Sequence, residues 1–170
     1  MNPQLLLHTA IEPALALLDP KLNTAPARAI LLAIGLQESG LKARVQVLDA
    51  GMAWWDSRPG PAHGWLQFER GGGVKAVLDN PKTRQIVDPV LAQLCYPPDA
   101  GVIHDALTHN DILAAVFARA LLYSAPWPLP AQNAAEEGWR QYLWCWRPGK
   151  PHESTWKANF ELGWATALGG

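Results

Sequence analysis

Cysteine is almost missing from this 170-residue chain: there are two, Cys95 and Cys145. Each stands singly in an apolar or aromatic setting, which reads as two buried thiols, with one bridge between them as the alternative. Charge is also sparse. Fourteen basic and fifteen acidic residues leave a net charge of −1, and the signs are interspersed. The chain therefore lacks the electrostatic footprint of a nucleic-acid binder. Only the stretch with Arg140, Arg147 and Lys150 is mildly basic, suited to an anionic polymer. No apolar run approaches the ~20 residues needed to cross a bilayer, so no membrane insertion is expected. The longest, Ala29 to Leu36, reads as a buried helix. A basic leader region is missing too: Met1-Asn2-Pro3-Gln4 leads into leucines interrupted by His8, Glu12 and Pro13. That is not a secretory signal, so action outside the cytoplasm would need another carrier.

Tyrosine and phenylalanine are scarce, three of each, but there are nine tryptophans. Trp54, Trp55, Trp65 and Trp127 fall in Gly/Pro-rich segments, where loops expose rings for recognition. Trp144 and Trp146, flanking Cys145, read as core. So does the stripe Trp156, Phe160 and Trp164 at helical spacing.

The length suits one domain, residues 1–170, and the pattern is mainly α. Asn2 caps a first helix with Pro3 in its favoured first position, and Pro13 kinks or divides that helix before Asp19-Pro20. Asn23 or Thr24 caps the next, with Pro26 in its first turn and Gly40 as its C-terminal cap. From Lys42 to Gly64 the pattern is irregular, with a short extended piece over Arg44 to Leu48 and at most a small hairpin. Helices are expected over Val74 to Leu78, Lys82 to Leu94, Ile112 to Tyr123, Ala131 to Trp146 and Glu153 to Leu168, with Ser124 to Pro130 as a stiff connector.

Two segments carry chemistry. Gln37-Glu38-Ser39-Gly40 places one carboxylate in the last turn of an apolar helix. There it opposes the helix dipole, and apolar surroundings disfavour its charge; both raise its pKa toward that of a proton donor. Gly64-Trp65-Leu66-Gln67-Phe68-Glu69 reads as an extended segment with Trp65, Gln67 and Glu69 on one side and Leu66 and Phe68 on the other. An amide facing a groove can both donate to and accept from sugar hydroxyl or acetamido groups.

In this order the two segments resemble the lysozyme-like superfamily of lytic transglycosylases and goose-type lysozymes, with their Glu-Ser pair and downstream Gly-Leu-Met-Gln-type segment. The wording Gly60-Pro61-Ala62-His63-Gly64-Trp65-Leu66-Gln67 is closer to a bacteriophage branch, as is the run from Gly138-Trp139-Arg140-Gln141-Tyr142 through Trp146-Arg147-Pro148-Gly149-Lys150-Pro151. The resemblance covers roughly Pro26 to Trp156. It implies a lysozyme-like fold with a small β-hairpin or irregular extended segment beside the active-site cleft. It also implies cleavage of the β-1,4 bond between N-acetylmuramic acid and N-acetylglucosamine in peptidoglycan.

By resemblance Glu38 is the general acid. In a transglycosylase the same group, once ionised, takes the proton of the sugar's own 6-hydroxyl and closes a 1,6-anhydro ring. Ser39, Trp65, Gln67, Phe68, Trp139 and Tyr142 are the candidate substrate-binding residues. The Ala-Tyr-Asn-Ala-Gly segment common in transglycosylases has no counterpart tyrosine in register within Asn133 to Trp139, so Tyr142 or Trp139 is left to supply it. An inverting hydrolase would instead need a second carboxylate ~6.5–9.5 Å away, for which Asp49, Asp56 and Glu69 are candidates.

Other features have plainer readings. Gln-Glu-Ser-Gly is not a nucleophile elbow, and Gly71-Gly72-Gly73-Val74-Lys75 lacks the Gly-Lys-Ser/Thr ending of a phosphate loop. His104, Asp105, His109 and Asp111 match no standard metal spacing and read as a surface loop with a helix cap; no cofactor is called for. The leading expectation is a phage-encoded peptidoglycan glycosidase, made in the host cytoplasm and acting at the cell wall or carried in the virion. The alternative is a non-catalytic structural or adaptor protein of a virion or tail, with phage structural proteins as partners.

Overall fold

The computed structural model describes residues 1–47 and 59–169; Trp54, Trp55, Asp49 and Asp56 lie outside them. Helices dominate, with one small, open three-stranded sheet beside them. Asn2 caps α1 (Pro3–Leu6), its side chain accepting from Gln4 N at 2.8 Å. A π-helical turn, Leu7–Ile11, follows directly and runs into α2 (Glu12–Ala16). Pro13 has no N–H to give the carbonyl one turn back, and the widened turn before it absorbs that defect without ending the helix.

After a 3₁₀ turn (Pro20–Leu22) comes α3 (Ala25–Ser39). Thr24 is its cap, accepting from Ala27 N, while Asn23 binds the Arg28 guanidinium instead. Gly40 ends α3 in the left-handed conformation (φ +56°), which costs glycine no Cβ clash. Ala27 and every residue from Ala29 to Gly35 are buried, so α3 is covered on all sides rather than along one face.

The sheet has the order β1-β2-β3, with β1 Val45–Val47, β2 Pro59–His63 and β3 Phe68–Glu69, all antiparallel. β2 lies within the stretch that reads as irregular, with at most a small hairpin. It can be a strand because β3 pairs only with Ala62 and His63, so Pro59 and Pro61 face no third strand.

A kinked segment, Arg70–Val74, takes in the three glycines, breaks helical geometry at Gly72 (φ −98°, ψ −106°) and leads to α4 (Lys75–Asp79) and α5 (Pro81–Gln93). Next come α6 (Ala100–Ala106), α7 (Asp111–Tyr123), α8 (Ala135–Trp146) and α9 (Glu153–Leu168). The short α6 was not foreseen. Asp99, in what reads as a turn, is its cap, accepting from Gly101 N and Val102 N at 2.9 Å each. His104 is therefore a buried helical residue, not part of a surface loop.

The expected core stripe is core: Trp156, Phe160 and Trp164 are buried. Three other expectations fail. Trp65 is only 2 % exposed; Trp144 is at the surface, edge-on to the half-buried Trp127; and Cys95 is an exposed thiol while Cys145 is buried, both free.

α9 packs along α3 at unusually close range. A Cβ on Gly163 would stand 2.5 Å from Ala29 O and 3.0 Å from Ala33 N. Both obstructing atoms are backbone, so neither can swing aside. Gly163→Ala should therefore force the helices apart and lower the unfolding free energy by ~1–3 kcal/mol, measured by urea denaturation.

Candidate active site around Glu38

Three consecutive residues at the end of α3 have separate tasks. The Gln37 amide donates to His152 O at 2.9 Å and accepts from Thr155 Oγ1 (3.1 Å) and Asn159 Nδ2 (2.9 Å), fixing the start of α9. Ser39 Oγ donates to Trp65 O at 2.7 Å and accepts from Leu41 N at 3.1 Å, fixing the segment after β2. Glu38, between them, faces a cavity of about 1080 Å³. Its one side-chain hydrogen bond among the described residues comes from Tyr142 Oη, which donates to Oε1 at 2.6 Å.

Removal from water is the main influence on Glu38 and raises its pKa from 4.5 to about 7. The Tyr142 hydroxyl pulls the other way by stabilising the carboxylate, and the nearby charge of Glu69 pushes it up further. Tyr142 is itself driven well above the usual phenol range, first by burial and then by Glu38. A carboxyl group poised near neutrality in a cavity can give up a proton and take one back under the same conditions.

Tyr142 is held by an aromatic plate. Its ring stacks on Trp156 at 5.3 Å between centroids, with Trp139 at 5.2 Å and Trp146 at 6.4 Å. Trp146 Nε1 donates to Leu66 O at 3.0 Å, and Phe68 meets Trp146 at 5.7 Å. α8 is thereby joined to the segment that carries Gln67.

That segment is not extended as expected. Gly64 (φ +73°) and Gln67 (φ +50°) are both left-handed, and Gln67 N closes a turn on Gly64 O at 3.1 Å. The turn breaks the expected alternation. It sends Trp65 and Leu66 into the core, Trp65 against Gly35, while Gln67, Phe68 and Glu69 line the cavity. Gln67 Nε2 donates back to Gly64 O at 2.8 Å, so the amide is held in place.

Of the candidate substrate-binding residues, Gln67, Phe68 and Tyr142 share the cavity wall with Glu38. Ser39, Trp65 and Trp139 do not: Ser39 is a backbone tie, Trp65 is core, and Trp139 packs against both Tyr142 and Trp156. Glu69 is the carboxylate that stands near Glu38 among the described residues; Asp49 and Asp56 lie outside them. Arg147 and Lys150 of the basic stretch are on the cavity wall, whereas the Arg140 guanidinium sits 4.9 Å over the Trp127 ring.

No family model, curated protein or solved structure matches the chain. The geometry has to speak for itself.

Sequence reasoning missed Gln46 and Trp146 as wall residues. For Trp146 a signal was present, since an indole so near Arg147-Pro148-Gly149 lies where a helix stops and a cleft can open. For Gln46, on β1, no motif announces it.

Folding raises the Glu38 pKa, so the native protein holds this proton more tightly than the unfolded chain does. The resulting stabilisation is complete below 4.5 and is lost as pH climbs through about 7. Denaturant titrations should therefore show wild type losing up to about 3 kcal/mol relative to Glu38→Gln between about pH 4.5 and 8. Parallel pH profiles for the two proteins would exclude a raised pKa.

Proposed function

We propose that this chain is a peptidoglycan-cleaving glycosidase of lysozyme-like fold, and that it acts as a lytic transglycosylase through Glu38. The supporting observation is the pairing of Glu38, pushed up to about 7, with the Tyr142 hydroxyl in a cavity that Gln67 shares. The cavity is large enough for several sugar rings. It offers apolar surface from Trp146, with the buried Phe68 behind it, and an amide at Gln67. Arg147 and Lys150 add positive charge where a polymer bearing carboxylates would lie.

In this reading Glu38 enters the reaction protonated and gives its proton to the bridging oxygen as the glycosidic bond breaks. The resulting carboxylate accepts the proton of the muramyl 6-hydroxyl, whose oxygen attacks the anomeric carbon and closes the 1,6-anhydro ring. Tyr142, donating to Oε1, steadies the carboxylate between the two transfers and holds it in one rotamer. It is the tyrosine that the missing Ala-Tyr-Asn-Ala-Gly segment would otherwise supply, reached from α8 one turn further along.

Glu69, on the same wall, favours a second reading. There it would activate a water, and the enzyme would hydrolyse the bond. Mass spectrometry of digested sacculi separates the two, because 1,6-anhydro ends mark transglycosylation and reducing ends mark hydrolysis. Glu38→Gln should lower muropeptide release by at least about 100-fold under either reading. Binding to sacculi with no release by the wild type would favour the non-catalytic adaptor.

Tyr142→Phe removes the one contact that holds the Glu38 pKa down. Its pH–activity profile should persist to higher pH than that of the wild type on the alkaline side, with reduced maximal activity.

A further inference from the structure

Outside the lining of the Glu38 cavity, two histidines that the proposed reaction does not use lie face to face. The rings of His63, the last residue of β2, and His104, in α6, are stacked with centroids 3.9 Å apart and 23° between planes. Each has one nitrogen already engaged. His104 Nε2 lies 2.9 Å from Pro61 O, and His63 Nδ1 lies 2.9 Å from Thr108 Oγ1. A carbonyl oxygen can only accept, so His104 carries its proton on Nε2, and in the neutral ring Nδ1 presents a lone pair.

The Asp105 Oδ1 lies 3.9 Å from that Nδ1. The gap is too long for a hydrogen bond, and two acceptors gain nothing by closing it. One donor atom from each of His63, His104 and Asp105 lies within 4.8 Å of the other two. A tetrahedral ion bound at ~2.0–2.2 Å would hold such a nitrogen and oxygen about 3.4 Å apart. Two imidazoles on one such ion place their centroids about 5 Å apart, so the 3.9 Å stack has to open by about 1 Å, while the Nδ1–Oδ1 gap has to close by about 0.5 Å. Asp105, with a side chain 82 % exposed, is free to make the second of these movements.

The outer bonds also fit. A histidine that binds metal through one nitrogen usually donates from the other to a carbonyl or carboxylate, which sets its tautomer and ring orientation. His104 has that arrangement with Pro61 O.

We propose that His63, His104 and Asp105 form a site for a borderline divalent transition ion, Zn²⁺ by ligand preference, with water in the fourth position. The ion would clip β2 to α6, joining two elements distant in sequence. His63 pairs with Phe68 across the sheet, and Gly64, which opens the turn carrying Gln67, follows it directly. The clip therefore braces the β2–β3 hairpin from outside. It does not depend on what the Glu38 cavity binds.

The test uses tag-free, chelator-treated full-length protein titrated with Zn²⁺ alone, followed by calorimetry and thermal unfolding. Co²⁺ serves as a visible probe of four-coordinate geometry. Expected are one ion per chain, a raised Tm and an intense Co²⁺ visible band. Asp105→Ala should leave the metal-free Tm unchanged, because the side chain is exposed, while weakening Zn²⁺ binding by about 10- to 100-fold. His63→Ala should abolish the Co²⁺ band, and metal-free thermal unfolding would show that the variant is still folded. No stoichiometric uptake by the wild type would overturn the site. So would uptake and a Tm rise that survive in Asp105→Ala, or a Co²⁺ band that survives in His63→Ala.

Discussion

The architecture depends on burying α3 from every side. A helix with no solvent face must be flanked on all sides, and the chain meets that requirement with α9 along one side and α7, the N-terminal helices and the turn after β2 around the rest. The last turn, Leu36 to Ser39, is half-buried and is held by the bonds of Gln37 and Ser39. Glu38 therefore projects from a turn anchored on both sides, although it lies beside a loop. Positional precision of this kind is what a proton donor needs, since small displacements of the carboxyl group lengthen the proton's path steeply.

Around that turn, polar bonds and aromatic packing do different work. Gln37 and Ser39 satisfy their own side chains by tying down neighbouring backbone, which leaves Glu38 with one partner, Tyr142, among the described residues. The plate of Trp139, Tyr142, Trp146 and Trp156 excludes water on one side of the carboxyl group and raises the cost of its charge. The hydroxyl of the same plate offsets part of that cost. The acidity of Glu38 thus reflects two opposed effects of one side chain's neighbourhood, with desolvation the larger.

What could be read in the sequence was whatever local chemistry decides. Asn2, Thr24 and Gly40 stand at helix ends because of bonds made within a few residues, and those assignments hold in the structure. The stripe of Trp156, Phe160 and Trp164 has a period that only a helix explains. β2 was hidden because prolines argue against a strand until one knows that no third strand faces them. α6 was hidden because about two turns of helix leave little periodicity beyond its cap at Asp99. Glu38 and Gln67 could be singled out as a pair. Trp65 was placed wrongly, because two left-handed residues inverted the side on which each neighbour lies. Tyr142 and Trp139 were indistinguishable by spacing; only the direction in which α8 faces α3 chooses between them.

The bonds that bring α8 and α9 to the end of α3 join distant parts of the chain. Tyr142 reaches back 104 residues to Glu38, and Asn159 reaches back 122 to Gln37. Closing loops of that length comes at an entropic cost that local helix formation does not share. During synthesis, α3 can form as soon as it emerges, but its glutamate has neither its hydroxyl partner nor its dry wall until α8 and α9 have been made and docked. A nascent or truncated chain would carry an ordinary solvated carboxylate. The raised pKa of Glu38 is therefore a property of the completed fold and of no part of it made earlier.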